Sequence, residues 1–169
     1  MVPSEAQIVI IGGGVLGTSA AFQLAAAGHQ SIVLLDRGPI AGGTTPFAAG
    51  QTAYLPAHKY LLPFTTYCIE FFERFAESTG YAIDFHQHGS LRVVLTEPHL
   101  AGLEARVDAA QSLHDTVEWL TPQQARSLVP ALEVPEAKGI LLMPRDGYVE
   151  PRSVAAAYAA AARDRGVTI

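Results

Sequence analysis

The run Gln7-Ile-Val-Ile-Ile-Gly-Gly-Gly-Val-Leu-Gly17 constrains this chain more than any other stretch. Ile8 to Ile11 is short, β-branched and uninterrupted, the pattern of a parallel strand covered on both faces, and it runs directly into Gly12-x-Gly14-x-x-Gly17. In such a turn Gly12 permits the sharp reversal, Gly14 lets a pyrophosphate approach the backbone, and Gly17 lets the next helix lie close on the strand. Residues 15–27 contain no proline, and Ala20, Ala21, Leu24 and Ala25 supply a small apolar face, so a helix is expected there. Val15 and Leu16 fall in its first turn, where bare N–H groups and the helix dipole favour phosphate. Gly28 ends it, Ile32 to Leu35 forms a second strand, and Asp36 stands where a carboxylate accepts from ribose hydroxyls. Strand, glycine turn, helix, strand and terminal acid all occur within about 30 residues, which predicts a dinucleotide-binding unit rather than a glycine turn alone. The acid favours a cofactor with a free ribose 2′-hydroxyl, FAD or NAD, over NADP. Arg37 beside it is a residue type that can also meet a 2′-phosphate.

The rest of the composition narrows the class. A chain of 169 residues, 49% hydrophobic, suffices for one packed domain or a large piece of one and excludes general disorder. The net charge of −5 is spread without a basic run, which argues against nucleic acid or an anionic membrane surface as partner. No apolar stretch approaches about 18 residues, and Met1-Val-Pro-Ser-Glu5 lacks the features of a signal peptide, so a cytoplasmic location is expected. The single cysteine, Cys68, lies in an apolar helical pattern and is expected to be a small buried hydrophobe rather than a nucleophile.

After Asp36, the stretch from Arg37 to Gly50 is rich in glycine and small residues, and reads as a loop with a short helical turn. Thr44 and Thr45 offer hydroxyl and N–H groups suited to phosphate. Residues 59–79 carry an amphipathic pattern whose aromatics, Phe64, Tyr67, Phe71, Phe72 and Phe75, read as core, and Gly80 follows. Ile83 to Leu95 alternates around Gly89, as two short strands with a turn or bulge would, and leads into a helix over about 98–113. Thr121 is placed to cap a helix with Pro122 at its first position, ending at Val129-Pro130. Gly139–Met143 reads as a strand, 144–147 as a turn and 152–165 as an alanine-rich helix, with a further strand beginning at Val167. The fold class expected is α/β: a Rossmann-like βαβ portion over 1–80, part of an inserted α+β domain over 81–145, and a return to the first domain over 146–169.

These features together resemble the FAD-dependent amine and amino-acid oxidoreductases of the D-amino-acid oxidase superfamily, most closely the glycine oxidase, sarcosine dehydrogenase and dimethylglycine dehydrogenase branch. The resemblance is carried by Ile8 to Asp36, by Gly43-Thr-Thr-Pro-Phe-Ala-Ala-Gly50, by Ile83 to Leu95 with Gly89-Ser-Leu, and by Asp146-Gly-Tyr-Val-Glu-Pro151. It implies FAD as cofactor, with Gly12, Gly14 and Gly17 at the pyrophosphate and Asp36 at the adenosine ribose. Thr44, Thr45, Ala48, Ala49 and Gly50 would meet the phosphates and the isoalloxazine edge, with Gln51 and Thr52 near the ring. Members that bind FAD covalently carry a histidine in this loop; Phe47 occupies that position here, which implies non-covalent FAD. Complete members are much longer, and their second half supplies the rest of the flavin pocket and the residues that hold the substrate carboxylate. The resemblance therefore implies a fold incomplete without a C-terminal half or a complementary chain, expected to join through an open strand edge at Val167 to Ile169. The implied activity is oxidation of a C–N bond in an amino acid or N-methylated glycine by hydride transfer to FAD. A non-catalytic flavin-binding subunit, or a hydroxy-acid or polyol-phosphate dehydrogenase of the same superfamily, are the alternatives.

Outside the glycine turn, no catalytic residue is identifiable. His86 and His88 lie two apart on an expected strand, as metal ligands can, but no third ligand stands at a telling spacing, so polar strand surface or domain-interface packing is the simpler reading and no metal is expected. His58, His99 and His114 read as isolated surface or cap residues, and Glu70, Glu73 and Glu77 with Arg74 as a solvated helix face. Arg92, Arg145 and Tyr148 are the candidates for a role beside the substrate, although a strand arginine more often pairs with a neighbour.

Overall fold

The computed structural model describes residues 3–56, 58–111 and 117–169. The chain is a mixed α/β fold with the elements β1 (Ile8–Ile11), α1 (Val15–Ala26), β2 (Ile32–Leu35), β3 (Gln51–Thr52), α2 (Leu62–Thr79), β4 (Phe85–His86), β5 (Ser90–Val94), α3 (Glu97–Gln111), β6 (Glu118–Leu120), α4 (Pro122–Leu128), β7 (Gly139–Met143), β8 (Gly147–Val149) and α5 (Pro151–Asp164). It divides into two compact units, one of Met1–Gly50, Phe72–Phe85 and Tyr148–Ile169, the other of Gln51–Phe71 and His86–Gly147. His114 and the expected last residues of the third helix lie outside the described residues.

In the first unit β1 and β2 pair in parallel, Ile8 opposite Ile32 and Ile11 opposite Leu35, joined by α1. Thr168 forms a parallel bridge to Val33 on the other side of β2, donating to the Ile32 carbonyl at 3.0 Å and accepting from Leu34 at 2.8 Å. α1 packs on α5, whose Ala155, Ala157, Ala159, Ala161 and Ala162 are buried. Small side chains there let two helices approach closely, and Phe22, Phe75 and Tyr158 fill the remaining space as a cluster with ring centroids 5.2 to 5.6 Å apart. The buried side of α1 is Thr18, Ala21 and Phe22, whereas Ala20 faces outward. The larger departure from the sequence pattern concerns β1. Its apolar run predicted cover on both faces, yet Val9 is 54% and Ile11 87% exposed, and β2 is the one strand paired with it among the described residues. β1 thus has an open edge, and Thr168 on the other side of β2 pairs with β2 alone among the described residues, which leaves an edge at Val167 to Ile169 as well.

The second unit is built on an antiparallel sheet of order β5-β7-β6, with Arg92 opposite Leu141 and Trp119 also opposite Leu141. Val94, Leu103, Val107, Ile140, Leu141 and Met143 form its interior. α4 begins with a complete capping box: the Thr121 hydroxyl accepts from the Gln124 N–H at 3.2 Å and the Gln124 side chain accepts from the Thr121 N–H at 2.8 Å. On α2, Leu62, Ile69 and Phe75 are buried, but Phe64 is 69% and Tyr67 57% exposed, and Cys68 is exposed rather than packed inside. Their apolar pattern marks a helix correctly without showing which residues the chain itself covers. β3 and β6 are too short to leave a sequence signal. Among the described residues no helix is long and apolar enough to cross a membrane.

Candidate functional site: a glycine turn and a buried carboxylate

The turn after β1 gathers most of the residues expected to hold a cofactor. Gly12 has φ of +112°, a conformation that only glycine adopts without strain, and its N–H donates to the Leu35 carbonyl at 2.7 Å. A Cβ on Gly17 would strike the Gly12 carbonyl, so the absence of a side chain there is what seats α1 against the turn. α1 starts at Val15 with Gly14 as N-cap, no capping side chain on Gly14 and no acid in the first turn, which leaves its positive end for an anion. One of its N–H groups is already used: Val15 donates to Thr45 Oγ1 at 3.0 Å. The oxygen accepts, so the Thr45 hydroxyl proton remains for a further acceptor such as a phosphate oxygen. Leu16 is 85% exposed and cannot act by packing within this unit.

Asp36 reaches back to the same turn. Its Oδ2 accepts from the Gly13 N–H at 2.6 Å and its Oδ1 from the Gly38 N–H at 2.8 Å. The Gly13 bond first, and then the Gly38 bond, hold this carboxyl below the usual carboxylate range, so it is ionised at neutral pH. Each oxygen keeps capacity to accept again, as ribose hydroxyls require. An open cavity of ≈ 430 Å³ lies here, lined by Ile11, Gly12, Leu35, Asp36 and Arg37. The loop that follows is laced to the turn: Ala41 donates to the Gly13 carbonyl at 2.9 Å, and Thr44 precedes a short 3₁₀ turn, Thr45–Phe47. Ala48 and Ala49 are exposed, and Gly50 has φ of +70° with its carbonyl accepting from the Val149 N–H at 2.8 Å. Gln51 is exposed in β3. Gly13 and Ala41 were not singled out in the sequence; the uninterrupted glycine triplet was the one available signal for Gly13.

In the second unit polar groups converge on Asp146, which is 1% exposed. Its Oδ1 accepts from the Tyr54 N–H and its Oδ2 from the Ser90 hydroxyl, both at 2.6 Å, while its backbone carbonyl accepts from the Gly89 N–H at 2.9 Å. Burial pushes this carboxyl up from the usual range, against the Ser90 bond and the Arg92 charge, which pull it down. Of the residues considered for a substrate role, Arg92 acts on Asp146 through its charge, Arg145 lies over the Tyr54 ring at 5.4 Å, and Tyr148 is 49% exposed on β8. His86 and His88 stack with ring centroids 5.8 Å apart, and among the described residues no three metal-ligating side chains come together. Thr52 Oγ1 is buried and has no hydrogen-bond partner among the described residues.

Residues 7–169 match the family model described as DAO, FAD dependent oxidoreductase. The chain is similar to the mitochondrial dimethylglycine dehydrogenase of Rattus norvegicus, at 34% identity over 98% of this chain and 19% of that protein. It is also similar to the mitochondrial pyruvate dehydrogenase phosphatase regulatory subunit of Mus musculus, at 32% identity over 99% of this chain and 19% of that protein. Among solved structures, the glycine oxidase of Geobacillus kaustophilus superposes with a TM-score of 0.78 at 28% identity, over 95% of this chain and 45% of that one. The chain therefore spans about a fifth of the length of these two curated relatives. With a family model matched along nearly its whole length, this chain belongs to the DAO family of FAD-dependent oxidoreductases.

Proposed function

We propose that this chain is the FAD-binding part of an oxidoreductase that oxidises the C–N bond of an amino acid or N-methylated glycine, and that it is inactive without the remainder of the fold. The observation that carries the reading is the glycine turn leading directly into α1, with Asp36 bonded back to Gly13 beside an open cavity lined by Ile11, Gly12, Leu35, Asp36 and Arg37. The residues present fit the cofactor. The cavity is large enough for a nucleotide portion, the α1 start and the Thr45 hydroxyl proton suit a pyrophosphate, and Asp36 suits ribose hydroxyls. In this reading Gly12, Gly14, Val15, Leu16, Gly17, Thr44 and Thr45 serve the phosphates, Asp36 and Arg37 the adenosine side, and Ala48, Ala49, Gly50 and Gln51 the flavin side. The first unit is the cofactor-binding portion and the second belongs to a substrate domain. With Phe47 where covalent members carry histidine, FAD is held without a covalent bond.

When bound, FAD supplies the hydride acceptor. This chain orients that acceptor and keeps it in place, and no side chain described in it is required as a base. The exposed Val9 and Ile11 on an unpaired strand edge support a further segment, from the same or a complementary polypeptide, covering β1. A second reading, a non-catalytic flavin-binding subunit, is favoured by the similarity to a regulatory subunit. One experiment addresses both. The full-length protein is purified and its absorption recorded before and after acid precipitation, then titrated anaerobically with sarcosine, dimethylglycine, glycine and proline. About one acid-released flavin per chain absorbing near ~450 nm, bleached by one of these amines, is the expected result. Flavin that no amine bleaches favours the subunit reading, and a protein that takes up no FAD overturns both.

A further inference from the structure

We infer that an exposed aromatic stripe on α2 is the surface through which this chain pairs with a second copy of itself. The stripe lies wholly in the second unit. Tyr60, in the 3₁₀ turn that leads into α2, is 80% exposed, Phe64 69% and Tyr67 57%. Phe71 is half-buried and stacks on Tyr67 with ring centroids 5.9 Å apart, and exposed Leu61 borders the row. The opposite side of the same helix carries Leu62 and Ile69, each 2% exposed, so α2 already has its core face and the stripe is a second apolar face. Rings held in water stabilise nothing in the single chain, and a contiguous patch of this kind marks an interaction surface.

The spacing of the rings points to the partner. Tyr60, Phe64, Tyr67 and Phe71 follow one another at intervals of four, three and four residues, an order that is the same in either direction along the helix. Steps of three and four keep side chains on one helix face. An antiparallel copy, related by a two-fold axis between Thr65 and Thr66, therefore sets Tyr60 against Phe71 and Phe64 against Tyr67. Each pairing occurs twice, as an isologous contact requires. A covering segment of unrelated sequence gains nothing from that order, whereas a copy running the other way is matched by it ring for ring. Aromatic side chains bury about 150 to 250 Å² each, so the exposed parts of these four rings and Leu61 offer on the order of 500 Å² per copy. The pair would bury roughly 1,000 Å², the size that a specific interface must reach. The same arrangement opposes the two helix dipoles and brings Glu70 of one copy level with Leu61 of the other, at a helix start that has no acid in its first turn.

The test uses the full-length protein, and neither the pairing nor its readout depends on the cofactor, so it stands apart from the functional reading. Sedimentation over a range of concentrations is expected to show a dimer. Tyr67→Glu is expected to raise its dissociation constant about 100-fold or more, since one substitution sets two charges into the centre of the patch. Compared at dilutions where both are monomers, that variant should melt within about 2 °C of wild type, because the ring is exposed in its own chain. Hydroxyl-radical labelling of Phe64 and Tyr67 should fall in wild type as concentration rises through the dimer range and stay high in the variant. A wild type that is monomeric at every accessible concentration overturns the inference, and protection of both rings in that monomer assigns the stripe to a further segment of the same polypeptide. A dimer that neither Tyr67→Glu nor Phe64→Glu weakens is formed by another face and overturns it equally. Should Tyr67→Glu fail to fold, Phe64→Glu is read in its place. Failure of both to fold shows the stripe to be enclosed by its own chain, which also overturns the pairing.

Discussion

Two carboxylates brace two turns of this chain, and they do it in opposite surroundings. Asp36 is exposed at the end of β2 and accepts two backbone N–H groups from Gly13 and Gly38, which stabilise its charge. Asp146 is buried in the second unit and accepts one backbone N–H and one hydroxyl, and desolvation outweighs what those bonds return. The first region is assembled almost entirely from one continuous stretch, Ile8 to Thr45; the second draws together Tyr54, Ser90 and Asp146 from three separate ones. The turn after β1 is braced by an open, ionised acid. A turn that must hold a strand still is built with an enclosed one.

The largest expected effect falls on the first region. Gly17→Ala forces a methyl group into the Gly12 carbonyl and is expected to cost about 2 to 4 kcal/mol and to abolish FAD uptake, while the Tyr54 amide stays protected from exchange. Urea unfolding with hydrogen exchange on the same samples checks both halves, and a loss of Tyr54 protection would show that the two regions are not separable. Next in size, Asp36→Ala is expected to weaken FAD by about 10- to 100-fold through the loss of a charged acceptor, measured by flavin fluorescence titration.

The opposite pKa directions give a third prediction. Asp36 is lowered from 3.8, so its contribution to stability is present above that value and is lost as pH falls through its folded pKa. Asp146 is raised from 3.8, so its contribution is fully present below that value and is lost as pH rises through its folded pKa. Melting temperatures recorded against pH should therefore show Asp36→Asn converging on wild type toward acid. Asp146→Asn should instead gain on wild type as pH rises above 3.8, and parallel curves for the two variants would erase the contrast. Smallest of all, Arg145→Ala is expected to cost about 0.5 to 1 kcal/mol, the worth of a cation over a ring, and less than Asp146→Ala; the reverse order would assign the hold on Tyr54 to the ring contact.

How much of this was legible in the sequence follows the same division. β1, α1 and β2 and the Thr121 helix cap are written in neighbouring residues, since glycine spacing, strand runs and caps act over a few positions. The partners of Asp146 are not, because nothing local to Asp146-Gly-Tyr marks which amide 92 positions earlier will need an acceptor. The two-residue β3 and three-residue β6 are held in place by tertiary contacts rather than by pattern. The exposed Cys68, Phe64 and Tyr67 on α2, and Val9 and Ile11 on β1, show a different limit. An apolar period states that a face avoids water, and it does not state what excludes the water.

Gly13 bears on how mutational data for such a chain would be read. It is buried, its N–H is taken by Asp36 and its carbonyl by Ala41, and a methyl group there would stand 2.7 Å from the end of Ile40 and 3.3 Å from the Asp36 side chain. None of its polar groups is left for a cofactor. A saturation scan scored by cofactor retention would nonetheless rank this position with the residues proposed to meet the cofactor, because a side chain there presses on Ile40 and on Asp36. The scan would record a tuning peg as if it were a string.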